Sequence, residues 1–227
     1  MTHIKDNLAA VELQISKACQ LANRSIDEVC LLAVSKTKPV ALIEQAYAAG
    51  QRAFGESYIQ EAIEKTHQLS HLTDIQWHFI GPVQSNKTRH LAEHFSWVHS
   101  VDRAKIITRL NEHRSSQDTP LNICLQVNIS EENSKSGITV NELAELAQQV
   151  NNCEHLTLRG LMAIPKKHDS LESFQKMSVL FNDLKQQYCT VDTLSMGMSD
   201  DLNDAIANGS TMVRIGTAIF GARSYPE

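Results

Sequence analysis

Lys36 stands in the run Ala33-Val34-Ser35-Lys36-Thr37-Lys38-Pro39, directly after a short apolar stretch. A lysine amine forms a Schiff base with a carbonyl compound when its surroundings keep enough of it unprotonated. Lys38 adds a positive charge two residues on, which favours the neutral amine. The plain alternative is a solvated loop lysine. A second cluster lies near the other end of the chain, where Gly197-Met198-Ser199-Asp200 follows one apolar run and Arg214-Ile215-Gly216-Thr217 ends another. Hydroxyls on Ser199 and Thr217, bare backbone at Gly216 and a helix opened by Ser199 suit a phosphate. Taken singly, these are ordinary caps and turns. Taken together, they describe a phosphorylated carbonyl ligand, provided the fold sets position 36 beside positions 199 and 216.

A closed barrel of parallel strands meets that condition. The chain opens with a helix whose stripe is Ile4, Leu8, Val11, Ile15, Ala18 and Ala22. It then alternates eight times between a short apolar run and an amphipathic stretch. The runs cover 30–35, 52–56, 76–81, 96–101, 122–129, 157–164, 193–198 and 212–216, and they read as strands buried on both faces. Pro39 opens the first connecting helix and Gly50 closes it. Ile59, Ala62 and Ile63 mark the next. Thr139 and Glu142 form a capping box before Leu143, Leu146, Ala147 and Val150. Phe174, Met177, Leu180, Phe181 and Leu184 stripe the longest, and a short helix over 200–208 stops at Gly209. The pattern predicts an α/β fold, a single (β/α)8 TIM barrel with an extra N-terminal helix, with residues 1–227 as one domain. An open doubly wound sheet would usually carry G-x-G-x-x-G after its first strand, and the sequence has none. Function in such barrels sits at the C-terminal ends of the strands, and closure makes strand one the neighbour of strand eight.

Composition narrows the partners. Hydrophobic residues make up 42%, enough for a packed core, and the formal charge of −5 gives no reason to expect nucleic acid. No apolar stretch approaches the roughly 20 residues of a membrane helix, and the N-terminal sequence lacks the apolar core of a signal peptide. The five cysteines are widely spaced without C-x-x-C, which fits a reducing compartment. A cytoplasmic protein without a membrane partner is expected.

The segments AVSKTKP, FGESYIQEA, WHFIGPVQSNK, WVHSVDR, SKSGI, LRGLMAIP, LSMGMSDDL and GSTMVRIGTAIFGAR follow one another over nearly the whole chain. In this order they resemble the YggS/PROSC family of pyridoxal-phosphate-binding proteins. The resemblance implies an alanine racemase-like barrel with pyridoxal 5′-phosphate as cofactor, held as an internal aldimine on Lys36. It implies phosphate contacts at Ser199, Gly216 and Thr217 with Met198 beside them, and either Arg214 or Ser195 against the pyridine nitrogen. The family usually has Asn where this chain has Ser57, whose hydroxyl can still cap the next helix. The implied role is intracellular homeostasis of pyridoxal phosphate, vitamin B6 and amino acids, without an established reaction. A monomer is implied, with pyridoxal-phosphate-dependent enzymes as candidate clients.

The second reading is a racemase or lyase with the same cofactor, in which Tyr58, His78 or a cysteine supplies another base. A third is a class I aldolase-type lysine without cofactor. His78 lies within the third strand, either hydrogen-bonded in the core or under the cofactor ring. Lys135 is a second candidate aldehyde-reacting amine. Asn86 and Lys87 suit a helix start, and Arg223 and Tyr225 can lock the last strand. His90-Leu91-Ala92-Glu93-His94 matches H-x-x-E-H, and His67 and His71 are also four apart. The helix carrying the motif is expected on the outside of the barrel, so no metal site is predicted.

Overall fold

Short runs buried on both faces have no polar side to leave in water, so they are driven into a sheet covered by helices. A computed structural model describes residues 3–130, 136–166 and 170–222. All eight predicted strands form in it: β1 (Cys30–Val34), β2 (Ala53–Glu56), β3 (Gln76–Phe79), β4 (Trp97–Val101), β5 (Leu121–Gln126), β6 (Leu156–Met162), β7 (Thr193–Ser195) and β8 (Met212–Ile215). They close into one parallel barrel in chain order. The closing seam pairs Leu32 with Arg214 and Ala33 with Ile215.

The helices between them are α2 (Val40–Ala48), α3 (Ile59–Gln68), α4 (Thr88–His94), α5 (Ala104–Arg114), α6 (Leu143–Asn151), α7 (Ser170–Gln187) and α8 (Leu202–Ala207), with α9 (Thr217–Phe220) after β8. Pro39 precedes α2, Gly50 follows it at φ +107°, and the Thr139–Glu142 capping box is present. The extra N-terminal helix α1 (Ile4–Leu21) buries Ile4, Leu8, Val11, Ile15, Ala18 and Cys19. It packs against α2, α8 and α9. Arg24 then donates to the carbonyls of Ile206 (2.9 Å) and Ser210 (2.7 Å), which ties the end of α1 to that of α8.

Strand alternation divides the core in two. Outward residues such as Ala33, Phe54, Val98, Ile123, Leu161 and Val213 join the helices in one large apolar cluster. Inside the barrel, Leu32, Ala53 and Met212 form one small apolar group, and Trp97, Cys124 and Met162 form another. The space beside them is filled by buried polar side chains, which is where the candidate site begins. The five cysteines carry free thiols, and no helix among the described residues is long and apolar enough to cross a membrane.

Candidate functional site

Successive strand side chains point to opposite faces. Leu32 and Val34 face inward, and Lys36 continues their parity past the end of β1. With Val34, Ser57, Ile80, Ile164, Met198, Ser199, Arg214, Gly216 and Thr217, Lys36 lines a hollow of about 180 Å³ at the barrel mouth. A buried cavity of about 150 Å³ admits benzene, so this hollow suits one substituted aromatic ring.

The backbone on both sides of Lys36 is clamped from behind. Thr37 adopts φ +63°, a left-handed conformation that costs a threonine about 1–3 kcal/mol and persists only where its surroundings enforce it. Here the enforcing contact is Glu61 Oε1, which accepts the Thr37 N–H at 2.6 Å. Ser35 donates its hydroxyl to Glu56 Oε1 at 2.6 Å. Lys65, only 4% exposed, joins these parts through Nζ, which donates to Ser35 O (2.8 Å), Glu56 Oε1 (2.8 Å) and Glu61 Oε1 (2.6 Å). Burial pushes the Glu56 carboxyl above the ordinary range, and Lys65 pulls the other way. The second Glu56 oxygen and the Thr37 hydroxyl have no hydrogen-bond partner.

Lys38 lines the same hollow as Lys36 and is itself held in place. It is buried, and its Nζ donates to the carbonyls of Gly221 (2.9 Å) and Ala222 (2.6 Å), drawing the segment after α9 against the hollow.

Across the seam, two loops present hydroxyls and bare backbone. A Cβ on Gly216 would stand 3.2 Å from the Val34 carbonyl oxygen, closer than side chains usually come, so glycine lets the β8 end lie against β1. Thr217 begins α9, a helix that the sequence reading did not contain. In the β7 loop, Gly197 sits at φ +94°, and a Cβ there would lie 2.5 Å from the Ala205 side chain. The expected cap at Ser199 is not what forms. α8 begins at Leu202 with Asp201 at its N-cap position, and Asp201 Oδ1 accepts the Met198 N–H at 2.6 Å. Asp201 closes the loop, so the exposed Ser199 hydroxyl is left at the rim. Ser57 likewise caps nothing, because Tyr58 holds the N-cap position of α3 without a side-chain bond.

Below the hollow runs a buried polar chain. Arg214, 5% exposed, donates to Ser195 O (2.6 Å), Ser195 Oγ (2.9 Å) and Ala163 O (2.9 Å). Ser195 Oγ lies 3.0 Å from His99 Nδ1, and His99 Nε2 lies 2.9 Å from His78 Nδ1. Desolvation lowers the Arg214 pKa to about 10 and that of His78 to about 3, and holds His99 well below its usual value. Both imidazoles are therefore neutral near pH 7. Arginine can only donate. The arrangement giving every contact one proton thus runs from Arg214 through Ser195 and His99 to His78. His78 also stacks on Trp97 at 5.2 Å between ring centroids.

Of the residues singled out in the sequence, Lys36, Ser57, Met198, Ser199, Arg214, Gly216 and Thr217 meet around one hollow. Ser195 and His78 lie beneath it as partners in the chain from Arg214. Between Arg214 and Ser195, only Arg214 lines the cavity. Asn86 and Lys87 lie in a 3-10 turn before α4. Lys135, Arg223 and Tyr225 fall outside the described residues. Sequence reasoning missed Lys65 and His99. Lys65 had a signal, because it sits three residues after Ala62 and four before Leu69 on the buried stripe of α3.

The family model for the alanine racemase N-terminal domain matches residues 7–224. The chain is 54% identical over 233 residues to the pyridoxal phosphate homeostasis protein of Escherichia coli (strain K12), covering 100% of both. It is 55% identical to that of Pasteurella multocida (strain Pm70) over 99% of each chain. It is also similar to PipY of Synechococcus elongatus PCC7942 with PLP bound, at 36% identity and a TM-score of 0.82, over 96% of this chain and 100% of that one.

Proposed function

The chain belongs to the alanine racemase N-terminal-domain family, among the pyridoxal phosphate homeostasis proteins, and from this premise we propose that it binds pyridoxal 5′-phosphate at Lys36 and buffers it for the cell. The observation that carries the reading is the meeting of Lys36 with Ser199, Gly216 and Thr217 across the β1–β8 seam. The donor set fits a phosphorylated pyridine aldehyde: an amine, two hydroxyls, a backbone cradle that a Cβ at Gly216 would crowd, and room for one ring. Barrels commonly hold phosphate on the loops after their seventh and eighth strands. When bound, the cofactor would supply an aldehyde, and Lys36 would be the amine placed to meet it. Ser199, Thr217 and the Gly216 backbone hold the phosphate. Arg214, a buried cation whose bonded partners are carbonyls and a hydroxyl, would be the charged group that the ring meets in the hollow, and it keeps its place through Ser195.

A racemase or lyase needs a second positioned base. No histidine, carboxylate, tyrosine or cysteine among the described residues lines the hollow, and the second amine there, Lys38, is engaged by the Gly221 and Ala222 carbonyls. Tyr58 points to solvent, 52% exposed, and His78 is buried with its basicity suppressed. Family membership supports a monomer that hands cofactor to client enzymes, and the free thiols suit a reducing cytoplasm.

Transfer tests the carrier role. Loaded protein mixed with an apo form of a pyridoxal-phosphate-dependent enzyme is expected to restore that enzyme's activity while leaving L-alanine optically pure. Sustained Lys36-dependent racemisation would instead support the enzyme reading. Ser199→Ala removes one phosphate donor worth about 1–3 kcal/mol, so cofactor affinity is expected to fall about 5- to 150-fold in a fluorescence titration. Unchanged affinity would reject that contact.

A further inference from the structure

H-x-x-E-H on the outer wall of a barrel reads as coincidence unless the fold supplies convergence. In α4, His90, Glu93 and His94 are three and four residues apart, so they share one helix face. Their ligand atoms lie within 4.8 Å of one another. A second helix contributes as well: the His67 ring on α3 meets the His94 ring edge-on at 5.1 Å between centroids. We propose that His90, Glu93 and His94, completed by His67, bind a divalent transition-metal ion of the zinc class and thereby clip α3 to α4.

Imidazole and carboxylate are the ligands such an ion takes in tetrahedral sites, with bonds of about 2.0–2.2 Å that put ligand atoms roughly 3.3 Å apart. The present spacing needs only a modest contraction. His90 and His94 are half-buried, and Glu93 and His67 are exposed, so side-chain rotation supplies it without moving backbone. The existing competitor is Arg89, whose Nε holds Glu93 Oε1 at 3.0 Å. That ion pair is largely solvent-exposed and therefore weak, so a dication displaces it easily. Three of the ligands already converge on α4, and His67 on α3 must swing in to complete four, which would make a closed structural site.

The test is independent of the cofactor. Chelator-stripped wild-type protein is titrated calorimetrically with Zn2+, then melted with and without the ion. One ion per chain and a zinc-dependent rise in melting temperature are expected, because an ion that binds only the native state stabilises it. The His90→Ala/His94→Ala double variant should bind at least about 100-fold more weakly, and His67→Ala about 10-fold more weakly, since loss of a ligand costs at least as much as loss of an outer-shell partner. The metal-free melts of the variants should match the wild type, as these side chains lie on the outer face. A wild type that fails to bind Zn2+, or unchanged affinity in either variant, overturns the assignment.

Discussion

Lys65→Met is expected to destabilise the protein by about 3–5 kcal/mol, the cost of leaving a buried charge without its partner. In a chain of this size that corresponds to a melting point roughly 6–20 °C lower. Lys65 Nζ contacts Glu56, Glu61 and the Ser35 carbonyl, and Glu56 is fully buried. Without the ammonium, Glu56 must ionise unaided or take up a proton. Its pKa is already raised by burial, and the loss of Lys65 raises it further. A carboxyl whose folded pKa lies above its unfolded value favours the fold below the unfolded pKa and loses that contribution as pH rises through the folded one. The deficit of Lys65→Met should therefore grow as pH rises above the ordinary carboxylate range. Adding Glu56→Gln should recover part of the loss and flatten its pH dependence. Denaturant melts of the two variants over that rise in pH check this, and a pH-independent deficit would place the effect in packing instead.

The same clamp shows what the sequence could and could not convey. Strand runs and helix stripes are local patterns, so all eight strands and α1 could be read directly. Barrel closure then set Lys36 beside Gly216 without any residue-level contact being known. Where α8 starts was not legible: Ser199, Asp200 and Asp201 are all good N-cap residues, and Asp201 takes the N-cap position without a side-chain cap bond, its Oδ1 accepting the Met198 N–H instead. The spacing of Lys65 from Ala62 and Leu69 marks it as facing inward, but its partners Glu56 and Glu61 are set around it only by the fold. His99 lies in the fourth strand beside Ser100, and nothing local marks its link to Ser195, which spans 96 positions. The carbonyls that hold Lys38 were not legible either, because they lie 183 and 184 residues away in the chain.

Lys36→Ala is expected to abolish covalent retention of pyridoxal phosphate while shifting stability by no more than about 1 kcal/mol. The contacts that fix this turn belong to the Ser35 side chain and carbonyl and to the Thr37 amide, and all survive the substitution. The proposed phosphate contacts at Ser199, Gly216 and Thr217 are also left intact, so weak reversible binding should remain detectable by dialysis. Loss of a cooperative melt in Lys36→Ala would mean that the lysine supports the barrel itself.

The most direct test of the account is the visible absorption of the protein with pyridoxal phosphate, before and after borohydride, followed by peptide mass mapping. The account predicts a yellow band that reduction bleaches, with the pyridoxyl mass on the peptide containing Lys36 and no such adduct in Lys36→Ala. No band after cofactor addition, or an adduct confined to another lysine such as Lys38, would contradict it.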